Sequence, residues 1–335
     1  MDHSTESVPL GARRSLWSVS TVLAGVPLCA SGLFAGAALS TSLTFSEAIL
    51  CAVVGALIVT LYAGIIGGIG ARTGRSTTLL IQECFGSIGA ALVAVSLAVC
   101  LGGWYAVQTG YFGQAINALF PDWGWLTSPK VAAGWGGLLM LSTAYFGYRG
   151  LSYLSAVAVP LIVALSAWGV WSATANTDIW SVSPAEPGTL GAAITMIVGS
   201  FAVGATVNAD ITRYSKDQRQ SWVATSMGFF VANIYILITG AGTALATGDG
   251  DLITAMMALG LGAPALIVLI FGQWTTNDNN LYWASVNAAG AFPRVKKTTL
   301  VLVFGVLATA AGVAGFADSF IPFLIWLGGL IPAVG

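Results

Sequence analysis

Ten apolar stretches divide this chain, and a bilayer crossing takes about 20 mainly apolar residues, a length that all but the short fourth and the tenth approach or exceed. They cover residues 17–43, 47–71, 84–117, 131–147, 151–175, 190–213, 221–246, 261–290, 299–316 and 318–333. In hydrocarbon the backbone must satisfy its own hydrogen bonds, so stretches of this length fold as helices. With 56% hydrophobic and 7% charged residues, the 335-residue chain carries more apolar surface than a soluble core of that size can hide. Its 42 glycines suit membrane helices whose backbones approach closely. The reading is an all-α polytopic membrane protein. Residues 1–16 form a polar tail, and the first apolar stretch is too long to be a cleavable signal.

The basic residues set the orientation. If ten spans alternate, Arg13, Arg14, Arg72, Arg75, Arg149, Arg213, Lys216, Arg219, Arg294, Lys296 and Lys297 fall on one side, and only Lys130 on the other. That segregation predicts cytoplasmic N- and C-termini and multi-pass insertion in the plasma membrane. Glu47, Asp122, Asp178, Glu186, Asp249, Asp251 and Asp318 collect outside. Ten spans split into two sets of five, and an odd number per set forces opposite orientations, which is how an inverted repeat is built. The halves are residues 17–175 and 190–335.

The eighth stretch contains an anomaly, Gln273-Trp-Thr-Thr-Asn-Asp-Asn-Asn-Leu-Tyr282. Polar groups at membrane depth are costly unless they face a cavity, a partner or an ion. Gln273, Asn277 and Asn280 share one helical face, as do Thr276 and Asn280. The amides can face a polar solute. The hydroxyls of Thr275 and Thr276, with backbone carbonyls, suit a hard monovalent cation such as Na⁺. Asp278 points partly away and has three readings: a pair with another helix, a proton carrier, or a bundle anchor. The bland reading of the run is interhelical polar glue.

Two other spans carry chemistry. Trp104, Gln108 and Tyr111 recur at i, i+4 and i+7 in the third. An indole beside an amide can hold a flat heterocycle, the ring by stacking and its edge by hydrogen bonds. The competing reading is aromatic packing. Asp210 and Arg213, at i and i+3 where the sixth span ends, can pair as a gate or an end-cap. Spans one (Ala24-Gly-Val-Pro27) and six (Gly199 to Thr206) carry helix-weakening residues near mid-membrane, where unwound turns expose backbone groups. Trp123, Trp125, Trp180 and Trp326 fit an aromatic belt.

Nucleotide-binding and H-E-x-x-H motifs do not occur, and no nucleophile–base pair stands out, so the chain is not read as an enzyme. Cys29, Cys51, Cys84 and Cys100 have no C-x-x-C spacing, which argues against zinc and disulfides. His3, the lone histidine, lies in the tail. No cofactor and no protein or nucleic-acid partner is expected.

Trp-Thr-Thr-Asn-Asp-Asn at 274–279, Gly-Ser-Phe at 199–201, Ala209, Asp210, Arg213 and Trp104 together resemble the nucleobase–cation symporter-1 family, in its bacterial cytosine permease branch. The resemblance runs from about Arg13 to Gly335. It implies a LeuT-type fold with a five-plus-five inverted repeat and two further spans, so the chain is expected to hold ten of twelve. It also implies import of cytosine or a related base by coupling to Na⁺ or H⁺ across the inner membrane. By the same resemblance Trp104 stacks on the base and Phe201, beside Ser200, closes its other face. Asn277 matches a polar pocket residue. Gly25, Leu28 and Gly272 match carbonyl ligands for Na⁺, and Thr275 and Thr276 its hydroxyl ligands. Leu101, Gly272 and Val203 stand where the permease branch has polar residues, so Gln108 and Gln273 are left to supply contacts, and the ring carried need not be cytosine. Rival readings are an amino-acid or amine transporter on the same fold and a non-transporting membrane receptor.

Overall fold

The computed structural model describes residue 3 and residues 5–175, 177–184, 187–248 and 252–319. Among these the protein is all-helical. The first predicted span is two helices, α1 (Leu16–Ala24) and α2 (Ala30–Ser40). Pro27 lacks an N–H and lies with Gly25 between them, so the chain cannot continue as helix. Next come α3 (Phe45–Thr73) and α4 (Thr77–Leu119). A capping box between Thr44 and Glu47 starts α3, and Gly74, at φ 73°, ends it. Within α4, Gly86 has φ 67°, a break about two and a half turns inside a segment that begins earlier than its apolar run. Then follow α5 (Pro129–Ala144) and α6 (Tyr148–Thr174).

The sixth span is also divided, into α7 (Leu190–Thr206) and the short α8 (Ala209–Thr212). The seventh runs through α9 (Gln218–Thr225), a π-helical turn (Ser226–Ala232) and α10 (Asn233–Thr247). A short helix that the apolar pattern did not predict, α11 (Leu252–Ala258), precedes α12 (Gly262–Ala291) and α13 (Lys297–Val313). Beyond Ser319, the predicted tenth stretch lies outside the described residues.

Among the described residues, four helical runs are long and apolar enough to cross a membrane: Phe45–Thr73, Thr77–Leu119, Tyr148–Thr174 and Gln218–Thr247. That is fewer than the ten expected, for a physical reason. The first span is cut at residues 25–29, and the sixth at 207–208, beyond the 199–206 stretch, which is helical. α5 and α13 have 16 and 17 residues, and α12, though 30 residues long, holds the polar run. Most of the tenth lies outside the described residues. Exposed Leu57, Leu61 and Ile65 give α3 an apolar outer stripe of the kind lipid covers.

The core places α12 against α4 and α6, α10 against α2, and α3 against α7. α2 and α10 meet backbone to backbone: a Cβ on Gly36 would collide with the Leu237 carbonyl, and one on Gly240 with the Leu33 carbonyl. Only small residues permit this approach.

Candidate functional site

The polar run of α12 is buried throughout, from Gln273 to Tyr282, except the half-buried Trp274. Its two threonines face the α1–α2 break. Thr276 Oγ1 donates within reach of the carbonyls of Gly25 (3.0 Å) and Val26 (2.9 Å). Thr275 Oγ1 lies 3.3 Å from the Gly25 oxygen and 3.2 Å from that of Gly272. A Cβ on Gly272 would sit 2.9 Å from the Leu28 carbonyl oxygen, so that oxygen also faces α12. Gly25, Leu28, Gly272, Thr275 and Thr276 are thus brought together. Uncharged carbonyl and hydroxyl oxygens without carboxylate, histidine or thiolate suit a hard monovalent cation better than a transition metal. The hydroxyl protons would turn away to leave lone pairs for the ion.

Beside this cluster is a cavity of about 190 Å³. Trp104 and Gln108 of α4 line it, with Ser200 and Phe201 of α7 and Thr276 of α12. An indole and a phenyl ring from different helices therefore flank one space. The Gln108 side-chain nitrogen donates to Ser31 Oγ at 2.8 Å and approaches Cys29 Sγ at 3.2 Å. Its side-chain oxygen is buried without a hydrogen-bond partner. Ser200 Oγ is turned to its own helix, donating to the Met196 carbonyl at 2.8 Å. No charged side chain is among the lining residues.

Two predicted pocket residues do not line the cavity. The Asn277 amide points to the α4–α5 side, donating to the Tyr105 carbonyl (3.3 Å) and Thr109 Oγ1 (3.2 Å). Gln273 is a strut: its oxygen accepts from the Ala30 N–H and its nitrogen donates to the Gln108 carbonyl. Asn280 and Trp283 line the cavity instead. With Thr276 they recur at i, i+4 and i+7, so the stripe was written in the helical period, three residues further along than the Gln273–Asn277–Asn280 face. Cys29 and Ser31 also line it, and they become visible only once the α1–α2 break is folded. Tyr111 instead meets Phe34 edge-on at 5.5 Å.

Asp210 and Arg213 are both fully buried and near enough for their charges to act on each other, and the hydrogen bonds of the acid reach other elements. The Asp210 carboxylate accepts from the Thr77 N–H (2.7 Å) and the Asn287 amide (2.8 Å). Arg213 Nε instead donates to the Asp210 backbone oxygen at 3.0 Å. A helix-start N–H and an amide satisfy the acid from other elements, which i, i+3 spacing cannot reveal. Arg213 also reaches the Tyr282 hydroxyl (3.1 Å) and the His3 carbonyl (2.5 Å), so the tail histidine is tied in through its backbone. Tyr282 donates on to Tyr214, which stacks on Tyr148 at 4.2 Å. This network seals the arginine-rich end of the bundle. Asp278 is 1% exposed, and neither carboxylate oxygen has a hydrogen-bond partner. Thr143 of α5 and the Lys297 ammonium are its polar neighbours.

Known proteins share this fold. A structure of Mhp1, a nucleobase-cation-symport-1 family transporter, closed with bromovinylhydantoin bound, matches 97% of this chain and 78% of its own with a TM-score of 0.85 at 18% identity. The inward-facing conformation of Mhp1 gives 0.79 at 19% identity, covering 96% of this chain and 76% of that one. A Na⁺-coupled sialic acid symporter gives 0.69 at 12% identity, over 97% and 78% of the two chains. In sequence, the cytosine permease of Escherichia coli strain K12 is 31% identical over 332 residues, 98% of this chain and 78% of the relative. The family described as permease for cytosine/purines, uracil, thiamine, allantoin matches residues 11–335. The chain therefore belongs to the nucleobase–cation symporter-1 family of cytosine and purine permeases.

Proposed function

We propose that this membrane transporter imports a planar, nucleobase-like heterocycle by alternating access, in symport with Na⁺. The observation that carries the reading is the cavity flanked by Trp104 and Phe201, with the oxygen cluster of Gly25, Leu28, Gly272, Thr275 and Thr276 at its side. Trp104 stacks on the ring, Phe201 closes the opposite face, and the unpartnered Gln108 oxygen accepts an N–H from its edge. Asn280 and Ser200 supply further polar contacts, with Gln273 and Asn277 acting behind the wall rather than on the ligand. An uncharged lining favours a neutral ring over an amino acid or amine, whose charges would need partners.

Residues 17–175 and 190–335 are, in this reading, two inverted halves, with the N-terminus cytoplasmic. In this reading the sealed, arginine-rich end is the cytoplasmic one. Na⁺ at the break of the first span joins α1 and α2 to α12. It thereby favours the conformation in which the ring site is assembled, and release of both follows when the Tyr148–Tyr214–Tyr282–Arg213 seal opens. Relatives named for cytosine transport, and the hydantoin bound by Mhp1, support the ring class. Leu101, Val203 and Gly272 make the walls less polar, which favours rings with fewer exocyclic donors than cytosine.

A second reading rests on Asp278, whose unpaired carboxylate would suit proton coupling. Uptake of radiolabelled bases into proteoliposomes separates the two. Sodium symport predicts uptake driven by a Na⁺ gradient at constant pH. Uptake indifferent to Na⁺ and driven by a proton gradient would refute it.

A further inference from the structure

The polar segment before α1 is fastened across the arginine-rich end. Val8 is 3% exposed although Ser7, Pro9 and Leu10 beside it are exposed, and it joins the same core cluster as Ile211 and Tyr214. Its N–H donates to the Gly74 carbonyl at 2.8 Å. This approach needs the glycine, because a Cβ there would lie 2.8 Å from the Val8 oxygen on a backbone of positive φ. Arg13 then caps the end of α3. Its Nη1 donates to the Ala71 carbonyl at 2.6 Å and to that of Ser215 at 2.5 Å, and its Nε to the Val8 oxygen at 3.3 Å. A cation suits a helix C-terminus, whose last carbonyls lack helical partners. The Arg14 N–H donates to the Tyr214 carbonyl at 2.7 Å, and the Arg14 carbonyl accepts from Gln220 at 2.9 Å.

The far end of the segment reaches the seal itself. The His3 carbonyl accepts from Arg213 Nη1 at 2.5 Å. Arg213 gives Nε to the Asp210 carbonyl and Nη2 to the Tyr282 hydroxyl, so all three nitrogens of the fork are held. Thr5, Glu6 and Ser7 line a surface cleft with Leu79, Gln82 and Glu83 in the first turns of α4. The segment thus meets α3, α4 and the loop after α8 at once. Beneath it Arg213 is fully buried. With water held off, the Arg213–Tyr282 hydrogen bond acts in a low dielectric and keeps its strength.

We propose that His3 and residues 5–14 act as a strap that holds this end shut and must release before the ring site opens there, given that the protein opens alternately at its two ends as proposed. Release admits water to Arg213, frees its fork from Tyr282 and lets the Tyr148–Tyr214 stack part. The tail is then a point at which transport is regulated without any change in the ring or cation site.

The test reads the native thiol of Cys29, which lines the ring cavity. Cys84 is exposed and is replaced in a C84S background, whereas Cys51 and Cys100 are buried. A membrane-impermeant maleimide is applied to inside-out and to right-side-out vesicles, and C84S/C29S gives the blank rate. Deleting residues 2–8 removes the His3 and Val8 bonds and the Val8 anchor. It should raise Cys29 labelling from the arginine-rich face about tenfold and lower it from the opposite face. V8D should shift both rates the same way by a smaller factor, and L10Q, at a residue 79% exposed, should shift neither. Faster labelling from both faces would mark a loosened fold and overturn the proposal. So would unchanged rates in a truncated protein that keeps its melting temperature. A gain at the outer face of the membrane instead would keep the strap and overturn the cytoplasmic assignment of this end. Protection of Cys29 by cytosine or a hydantoin tests the ring site separately: a tail effect without protection keeps the strap and removes the ring reading.

Discussion

Replacing Thr276 by Val removes one hydroxyl and little volume, and its consequences can be worked from the distances. In the structure that hydroxyl sits 3.0 Å from the Gly25 oxygen and 2.9 Å from the Val26 oxygen, at a residue 5% exposed. Both carbonyls keep another contact, Thr275 Oγ1 at 3.3 Å for Gly25 and Cys29 Sγ at 3.8 Å for Val26. The stability loss in the absence of Na⁺ should therefore stay near the net worth of one hydrogen bond, about 1 kcal/mol. Coordination should suffer more. The proposed cage has two hydroxyl and three carbonyl oxygens, and losing one strong oxygen ligand at about 1.4 kcal/mol or more weakens Na⁺ binding about tenfold. The assay is base uptake into proteoliposomes as a function of external Na⁺, paired with the Na⁺-induced rise in melting temperature of the detergent-purified protein. T276V should move the half-activating Na⁺ concentration up by about tenfold while maximal uptake at high Na⁺ recovers. Unchanged Na⁺ activation in a folded T276V protein would show that these oxygens do not hold the coupling ion.

Trp104→Ala should weaken ligand binding by about 5- to 150-fold, the worth of one base–aromatic stack of about 1–3 kcal/mol, with W104F recovering part of it; unchanged affinity by competition binding would remove the stacking argument. Gly36→Ala pushes a Cβ into the Leu237 carbonyl and should destabilise the fold by about 1–3 kcal/mol, visible as a lowered melting temperature. Tyr282→Phe removes the hydroxyl that joins Arg213 to Tyr214, so reagents added from the arginine-rich side should label cysteines placed in the cavity faster than in the wild type. Asp278→Asn removes an unpaired buried carboxylate and should raise thermal stability while leaving Na⁺ activation intact; loss of Na⁺-driven uptake in D278N would transfer coupling to this acid.

Much of the site was legible because helical period and membrane cost act on local sequence. Thr275 and Thr276 stood out as hydroxyls at hydrocarbon depth, and Trp104 and Gln108 as an i, i+4 pair, and the structure brings each pair to the oxygen cluster or the cavity. What failed was rotation about the helix axis. Asn277 and Asn280 lie three residues apart in one polar run, and only the packing of α4 and α5 decides that Asn277 faces Tyr105 while Asn280 faces the cavity. The Asp210 partners failed for a related reason: Thr77 and Asn287 are far away in sequence, and no local spacing announces them.

The sequence alone determined that this chain is helical and membrane-embedded, because a backbone in lipid must close its own hydrogen bonds and ordinary side chains there must be apolar. It also marked where that rule is broken, at Gly25 to Pro27 and at Gln273 to Tyr282. Tertiary structure decided what the breaks are for. The close approach of the Leu28 carbonyl to Gly272 sets the interrupted first span against α12, so that carbonyls from one meet hydroxyls from the other. That meeting depends on contacts some 250 residues apart in sequence, which periodicity cannot encode.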